Sequence, residues 1–218
     1  MKKLMIVLGL GSGIVFGAAF QNGGFESPVI MSSPNFGTVP TGWTKVDLTG
    51  QGLFIEFYST FGLPTLGGQG IQAYGFGGNG ATSGSLSQTF DTLTAANYMV
   101  TFQYVVQQGT AFEDLMVDAL NGSTVIASSN PVRFNNTAWV TAILNFTAAS
   151  SSTTLRFSDI TGASGDTTGG QSTNWALDAV TVTQTSSVSP VPEPSTLAFV
   201  GLGSLAAFAL RRRIVRSS

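Results

Sequence analysis

The chain has 218 residues and neither cysteine nor histidine, which removes disulfides, thiol nucleophiles, the usual Cys/His zinc sites and any Ser-His-Asp triad. Its net charge of −2 hides an asymmetry, because Lys2, Lys3, Arg211, Arg212, Arg213 and Arg216, six of its nine basic residues, lie at the two ends. Between Phe20 and Pro190 three basic residues (Lys45, Arg133, Arg156) face ten acidic ones, a net near −7 that argues against nucleic acid as a partner.

At the N-terminus Met1-Lys2-Lys3 precedes an apolar run from Leu4 to Phe16 and then the small residues Gly17-Ala18-Ala19. This pattern predicts a signal peptide over residues 1–19, with a short helix in its apolar part and cleavage after Ala19. The run is shorter than the ~20 residues a permanent membrane span needs.

Residues 20–183 show no sustained 3.6-residue apolar period, whereas alternation recurs. In Tyr98-Met99-Val100-Thr101-Phe102-Gln103-Tyr104-Val105-Val106 every second side chain is aromatic or aliphatic. Further strands are predicted at Gly24–Glu26, Leu53–Tyr58, Ile71–Phe76, Ser85–Phe90, Leu115–Ala119, Thr124–Ala127, Val140–Phe146, Leu155–Phe157 and Leu177–Thr183, each bounded by Gly, Asn, Ser or Pro clusters. The fold class is therefore all-β, a jelly-roll-like antiparallel β-sandwich long enough to bury a core without disulfides. Gly75-Phe76-Gly77-Gly78-Asn79-Gly80 satisfies G-x-G-x-x-G literally, but no helix follows to receive a phosphate, so it reads as a glycine-rich turn.

Four segments of this domain resemble galactose-binding-domain-like jelly rolls, a group that includes several carbohydrate-binding modules. They are Gln21-Asn22-Gly23-Gly24-Phe25-Glu26-Ser27-Pro28, Thr41-Gly42-Trp43, Ser85–Phe90 and Trp175-Ala176-Leu177-Asp178-Ala179-Val180-Thr181-Val182. The resemblance implies that Glu26 and Asp178 meet and help hold a structural calcium ion, a hard dication that takes carboxylate and carbonyl oxygens. The plainer alternative is that Glu26 caps a turn and Asp178 accepts from backbone amides. It also implies a sugar-stacking aromatic, for which Trp43, Tyr58, Tyr74, Trp139 and Trp175 are the candidates. Catalysis would have to rest on carboxylates, and Asp114 and Asp118, on one strand face, stand about 13 Å apart, too far for a glycosidase pair. No catalytic residue is assigned.

Residues 184–190 form a short polar linker, and 191–218 form a tail of three parts. Val191-Pro192-Glu193-Pro194-Ser195 is followed by an uncharged stretch from Thr196 to Leu210, and then by Arg211, Arg212, Arg213 and Arg216. As a helix the uncharged stretch would reach about 22 Å, short of a hydrocarbon core of about 30 Å. Clustered arginines stay on the cytoplasmic side, so everything before Pro192 would lie outside the inner membrane. In this order the three parts resemble the PEP-CTERM sorting signals of Gram-negative bacteria. That resemblance implies processing by an exosortase that recognises Pro192, Glu193 and Pro194, with the tail held at the inner membrane and periplasm until release to the cell surface or extracellular matrix. The expectation is a non-enzymatic exported module that associates with extracellular polysaccharide in a biofilm. The alternatives are a structural surface protein with no specific ligand and, third, a polysaccharide-active enzyme.

Overall fold

Side-chain alternation needs a partner for each face, and the chain meets that need by stacking two antiparallel sheets. The computed structural model describes residues 18–185, apart from 49, 61, 65–69, 78–83, 108–111, 130–131 and 162–173. The predicted signal helix, most of the linker and the whole sorting tail lie outside the described residues, Pro192, Glu193, Pro194 and the four terminal arginines included.

Eleven strands follow in order: β1 (Thr44–Asp47), β2 (Leu53–Phe57), β3 (Gln72–Phe76), β4 (Gly84–Asp91), β5 (Asn97–Val106), β6 (Glu113–Asn121), β7 (Thr124–Ser128), β8 (Val132–Phe134), β9 (Val140–Thr147), β10 (Ser152–Asp159) and β11 (Trp175–Gln184). One sheet runs β1-β4-β10-β6-β7, with β8 also paired to β6; the other runs β2-β3-β11-β5-β9. No helix occurs among the described residues. The chain is an all-β antiparallel two-sheet sandwich.

The inner faces follow the alternation. Val100, Phe102 and Val106 of β5 meet Leu115 and Val117 of β6 and Leu155 and Phe157 of β10, all at most 3% exposed. A ring contact ties the layers together, Phe102 of one sheet meeting Phe157 of the other edge-on at 5.2 Å, and within one sheet Trp175 of β11 lies flat on its cross-strand partner Phe76 of β3 at 4.0 Å. Each such pair adds about 0.5–1.5 kcal/mol beyond its buried area.

Three local outcomes differ from expectation. Gly24–Glu26 is not a strand: Asn22 and Phe25 have φ of 52° and 56°, and the Phe25 N–H donates to the Asn22 carbonyl at 3.2 Å, closing a turn that drops the Phe25 ring into the core. β1 has Val46 as its only aliphatic side chain and pairs with β4 at a sheet edge, so no apolar stripe announces it. β8 is three residues long, too short for alternation to register.

Candidate functional site on the outer face of one sheet

The sheet β2-β3-β11-β5-β9 carries a second, smaller apolar cluster on the face turned away from the core. Tyr58, Leu63, Ala73, Val105 and Ala176 are buried there, with Trp139 partly buried against them. Strand parity explains the set. Ala73 alternates with inward Tyr74 on β3, Ala176 with Trp175 and Leu177 on β11, and Val105 with Tyr104 and Val106 on β5.

Register aligns these positions into rows. Glu56 pairs with Ala73, Asp178 with Gln103, and Gln103 with Thr141; continuing the Leu177–Tyr74 pairing sets Ala73 beside Asp178. The polar row Glu56, Asp178, Gln103 and Thr141 thus crosses all five strands, a span of about 19 Å. A second row, Phe54, Gly75, Ala176 and Val105, is apolar. Beyond it Gln107 and Asn174 continue the alternation of β5 and β11, joined by the Gln107 N–H to Asn174 carbonyl bond at 2.7 Å. Small residues keep the apolar row low. A Cβ on Gly75 would run into the Phe54 ring, which lies over it.

The polar groups flanking that row are unsatisfied. Both carboxylate oxygens of Glu56, Oε1 of Gln103, Oε1 and Nε2 of Gln107 and Oδ1 of Asn174 are buried without a hydrogen-bond partner among the described residues. Glu56 is 0% exposed, and burial holds its carboxyl well above the usual carboxylate range. The face is more open toward β9, where Thr141 is exposed and Gln103 and Trp139 are half-buried. There the Trp139 ring sits 6.0 Å from Tyr58 at 55°, and its indole N–H donates to the Pro64 carbonyl at 2.6 Å, which fixes the ring over the loop after β2.

Of the aromatics singled out from the sequence, Tyr58 and Trp139 share this face. Trp43, Tyr74 and Trp175 are in the core, at 6%, 0% and 0% exposure. Trp43 packs between Phe25 and Phe157 and donates its indole N–H to the Asn22 carbonyl at 3.0 Å. Glu56, Gln103, Gln107 and Asn174 were not anticipated. No local motif marks them, and only strand register brings them onto one face.

Glu26 and Asp178 lie close enough to act on each other. A bulge in β11 between Asp178 and Thr181, with Ala179 at φ 52°, swings the chain so that the Ala179 N–H donates to Asp178 Oδ1 at 2.6 Å. The Tyr58 hydroxyl donates to Asp178 Oδ2. Burial, helped by the charge of Glu26, pushes the Asp178 carboxyl up to about 7 against the pull of those two hydrogen bonds. Glu26 Oε1 accepts from the backbone N–H groups of Ile71 and Gln72 at 2.8 and 2.7 Å, the capping role of the plainer alternative. The same carboxyl fills the space that a side chain on Gly70 would need. Neither acid has an ion-pair partner among the described residues, and no group of three or more potential ligand side chains gathers there or elsewhere among them. Asp118, by contrast, is engaged by Arg156 at 2.6 Å and by the Ser128 hydroxyl at 2.7 Å.

The family described as "Protein of unknown function (DUF642)" matches residues 18–183, and the PEP-CTERM protein-sorting motif matches residues 190–213. No curated protein matches the chain. Among solved structures, TmCBM61 in complex with β-1,4-galactotriose superposes with a TM-score of 0.50 at 14% identity, covering 77% of this chain and 98% of that one. The K2 cleaved adhesin domain of Lys-gingipain gives 0.49 at 19% identity, with coverages of 78% and 99%. The CBM22-1 xylan-binding domain of Paenibacillus barcinonensis Xyn10C gives 0.47 at 14%, with coverages of 71% and 94%. At such identities the likeness is one of fold.

Proposed function

This chain belongs to the DUF642 family over residues 18–183 and ends in a PEP-CTERM sorting motif, and from that premise we propose a non-enzymatic polysaccharide-binding module acting at the outer face of β2-β3-β11-β5-β9. The sorting motif implies export to the cell surface or extracellular space. In our reading an exosortase processes the tail at the inner membrane, and the domain then meets extracellular polysaccharide of the biofilm matrix.

The observation that carries the reading is the half-buried Trp139 ring, held over the loop after β2 by its bond to the Pro64 carbonyl, at the end of the face where Gln103 is half-buried and Thr141 exposed. A ligand could lay an apolar ring face on Trp139 there and direct its hydroxyls to Gln103 and Thr141. Glycan-binding sites have this mixture of a ring platform and convergent polar groups.

The test is titration of the purified full chain with oligosaccharides from the host's own exopolysaccharide, in parallel with Trp139→Ala. Saturable binding weakened at least about tenfold by the substitution is expected, the loss typical of an aromatic anchor. Binding untouched by Trp139→Ala would remove this face from consideration. The absence of saturable binding to any oligosaccharide, together with a matrix defect on deletion, would favour a structural surface protein instead.

A structural calcium ion between Glu26 and Asp178 is part of the same proposal. It would supply the positive charge those two acids lack and tie the opening turn to the last strand.

A further inference from the structure

The two flanks of the sandwich are finished differently. On one flank the sheets end in β2 and β1, and both edges are guarded. Asn35 exchanges backbone hydrogen bonds with Ile55 of β2 at 2.8 and 3.0 Å, and the Phe57 N–H donates to Ser33 Oγ at 2.8 Å. β1 is four residues long and carries the Lys45–Asp47 ion pair at 3.3 Å, with Lys45 Nζ also donating to the Phe36 carbonyl at 2.6 Å. A covering loop and a short, charged edge both discourage strand addition.

On the other flank the sheets end in β9 and in β7 and β8, and β9 has neither guard. It is an eight-residue run, Val-Thr-Ala-Ile-Leu-Asn-Phe-Thr, without charge or proline, and the nearby β7, Thr-Val-Ile-Ala-Ser, is uncharged too. Beyond the ladder to β5, no backbone hydrogen bond joins residues 140–147 to any described residue, so alternate N–H and C=O groups of β9 point outward without a protein partner. β7 lies alongside β9 without pairing to it, and the two border a cleft of about 520 Å³ whose lining includes Tyr98, Ile126, Ala127 and Phe146. Val125, Val140 and Ile143 are 47%, 37% and 56% exposed on these two strands.

We propose that two copies of the chain join at this flank, β9 of each antiparallel to β9 of the other, so that the two five-stranded sheets become one continuous sheet. A second copy fits because a two-fold axis sets residues near it against themselves. Such an arrangement penalises charge at the centre and suits Ile143 and Leu144, the middle of a strand that has none. Pairing satisfies the outward backbone groups of β9, covers Ile143 and closes the open side of the cleft. Because the opposite flank is guarded, association stops at two. The net charge near −7 of each domain opposes approach, so added salt favours pairing. Pairing itself needs no ligand. With the axis at mid-strand, the two Trp139 positions fall about 30 Å apart along the strand direction, and on the polysaccharide reading above a polymer held by one copy meets the other at high effective concentration.

The test is sedimentation velocity of the full chain without sugar, over a series from low to high micromolar concentration, beside Ile143→Lys and a matched control on the guarded flank, Val46→Lys, at a residue 51% exposed. A monomer–dimer equilibrium tightened by salt is expected. Ile143→Lys, which sets like charges together across the axis, should raise the dimer dissociation constant at least about tenfold, and Val46→Lys should leave it unchanged. Because the chain lacks cysteine, Ile143→Cys gives a second reading with no change of charge. Mild oxidation should link two chains through it, and the same treatment of Val46→Cys should not. A monomer at every concentration, a dimer indifferent to Ile143→Lys, equal weakening by Val46→Lys, or association that continues past two would each overturn the proposal. Ile143 is exposed, so neither change to it empties or overfills the core, and the concentration series on the unsubstituted protein stands whether or not a variant folds.

Discussion

Gly75 illustrates how much one side chain decides on the outer face. Its missing Cβ is the space that the Phe54 ring occupies, and Phe36 holds that ring edge-on at 5.2 Å. Gly75→Ala should therefore displace Phe54, cost about 1–3 kcal/mol as overpacking does and raise the floor of the site. Chemical denaturation and the sugar titration together check this, and weakened binding at near-normal stability would separate the site effect from the packing effect. Glu113 makes a different kind of prediction. Burial pushes its carboxyl from 4.5 up to about 8, with the charges of Asp159 and Asp114 adding to the rise and a hydrogen bond from the Thr161 hydroxyl opposing it. Between those two values the folded state holds a proton that the unfolded chain has released, so stability is greatest below about pH 4.5 as far as this group is concerned and falls as pH rises to about 8. Asp178, raised from 3.8 to about 7, works in the same direction. The melting temperature should drop by an amount on the order of 5 °C between pH 5 and pH 8.5, and Glu113→Gln should flatten the upper part of that slope. A flat profile in the unsubstituted protein would contradict it.

Among elements, the opening segment and β11 are the pair on which the fold closes. The Val180 N–H, within the bulge that positions Asp178, donates to the Gly23 carbonyl at 2.9 Å, and Glu26 reaches across to the start of β3. A dication bound between Glu26 and Asp178 would stabilise the folded state alone and would raise the melting temperature with its concentration. Removing calcium with a chelator should therefore lower the melting temperature by several degrees, and re-addition of calcium but not magnesium should restore it. An unchanged melting temperature would leave Glu26 and Asp178 with the hydrogen bonds already described and no metal. Alternation marked most of the strands. Tyr98, Val100, Phe102, Tyr104 and Val106 face the core as their spacing indicates. Gly24–Glu26, predicted as a strand, is a turn because Asn22 and Phe25 take left-handed φ values that break the two-residue period, and β1 went unmarked because an edge strand with a single aliphatic side chain has no stripe to read.

At the scale of the whole molecule, the sorting motif and the domain make separate demands. The tail matched over residues 190–213 predicts a C-terminus removed in cells with a working exosortase. The intact mass of protein recovered from the cell surface should be lower than the mass calculated to Ser218, by at least the arginine cluster and its apolar stretch. Recovery of the full C-terminus from such cells would contradict processing. The acidic, sparsely basic domain should also bind its polymer more weakly at high salt if that polymer is cationic, and with little salt dependence if it is neutral.

The sequence by itself determined the all-β class, most strand positions and the sorting motif, because all of these are local: alternation, turn residues and a contiguous tail are each written in a few adjacent residues. Which aromatics lie outside the core was decided by tertiary structure, since Tyr58 and Trp139 differ from Trp43, Tyr74 and Trp175 only in the face that pairing gives them. The polar row was decided the same way. Glu56, Gln103 and Asp178 are far apart in the chain and become neighbours only through the registers of β2, β3, β11, β5 and β9. A slip of one residue in any pairing would turn that strand's contribution toward the opposite face.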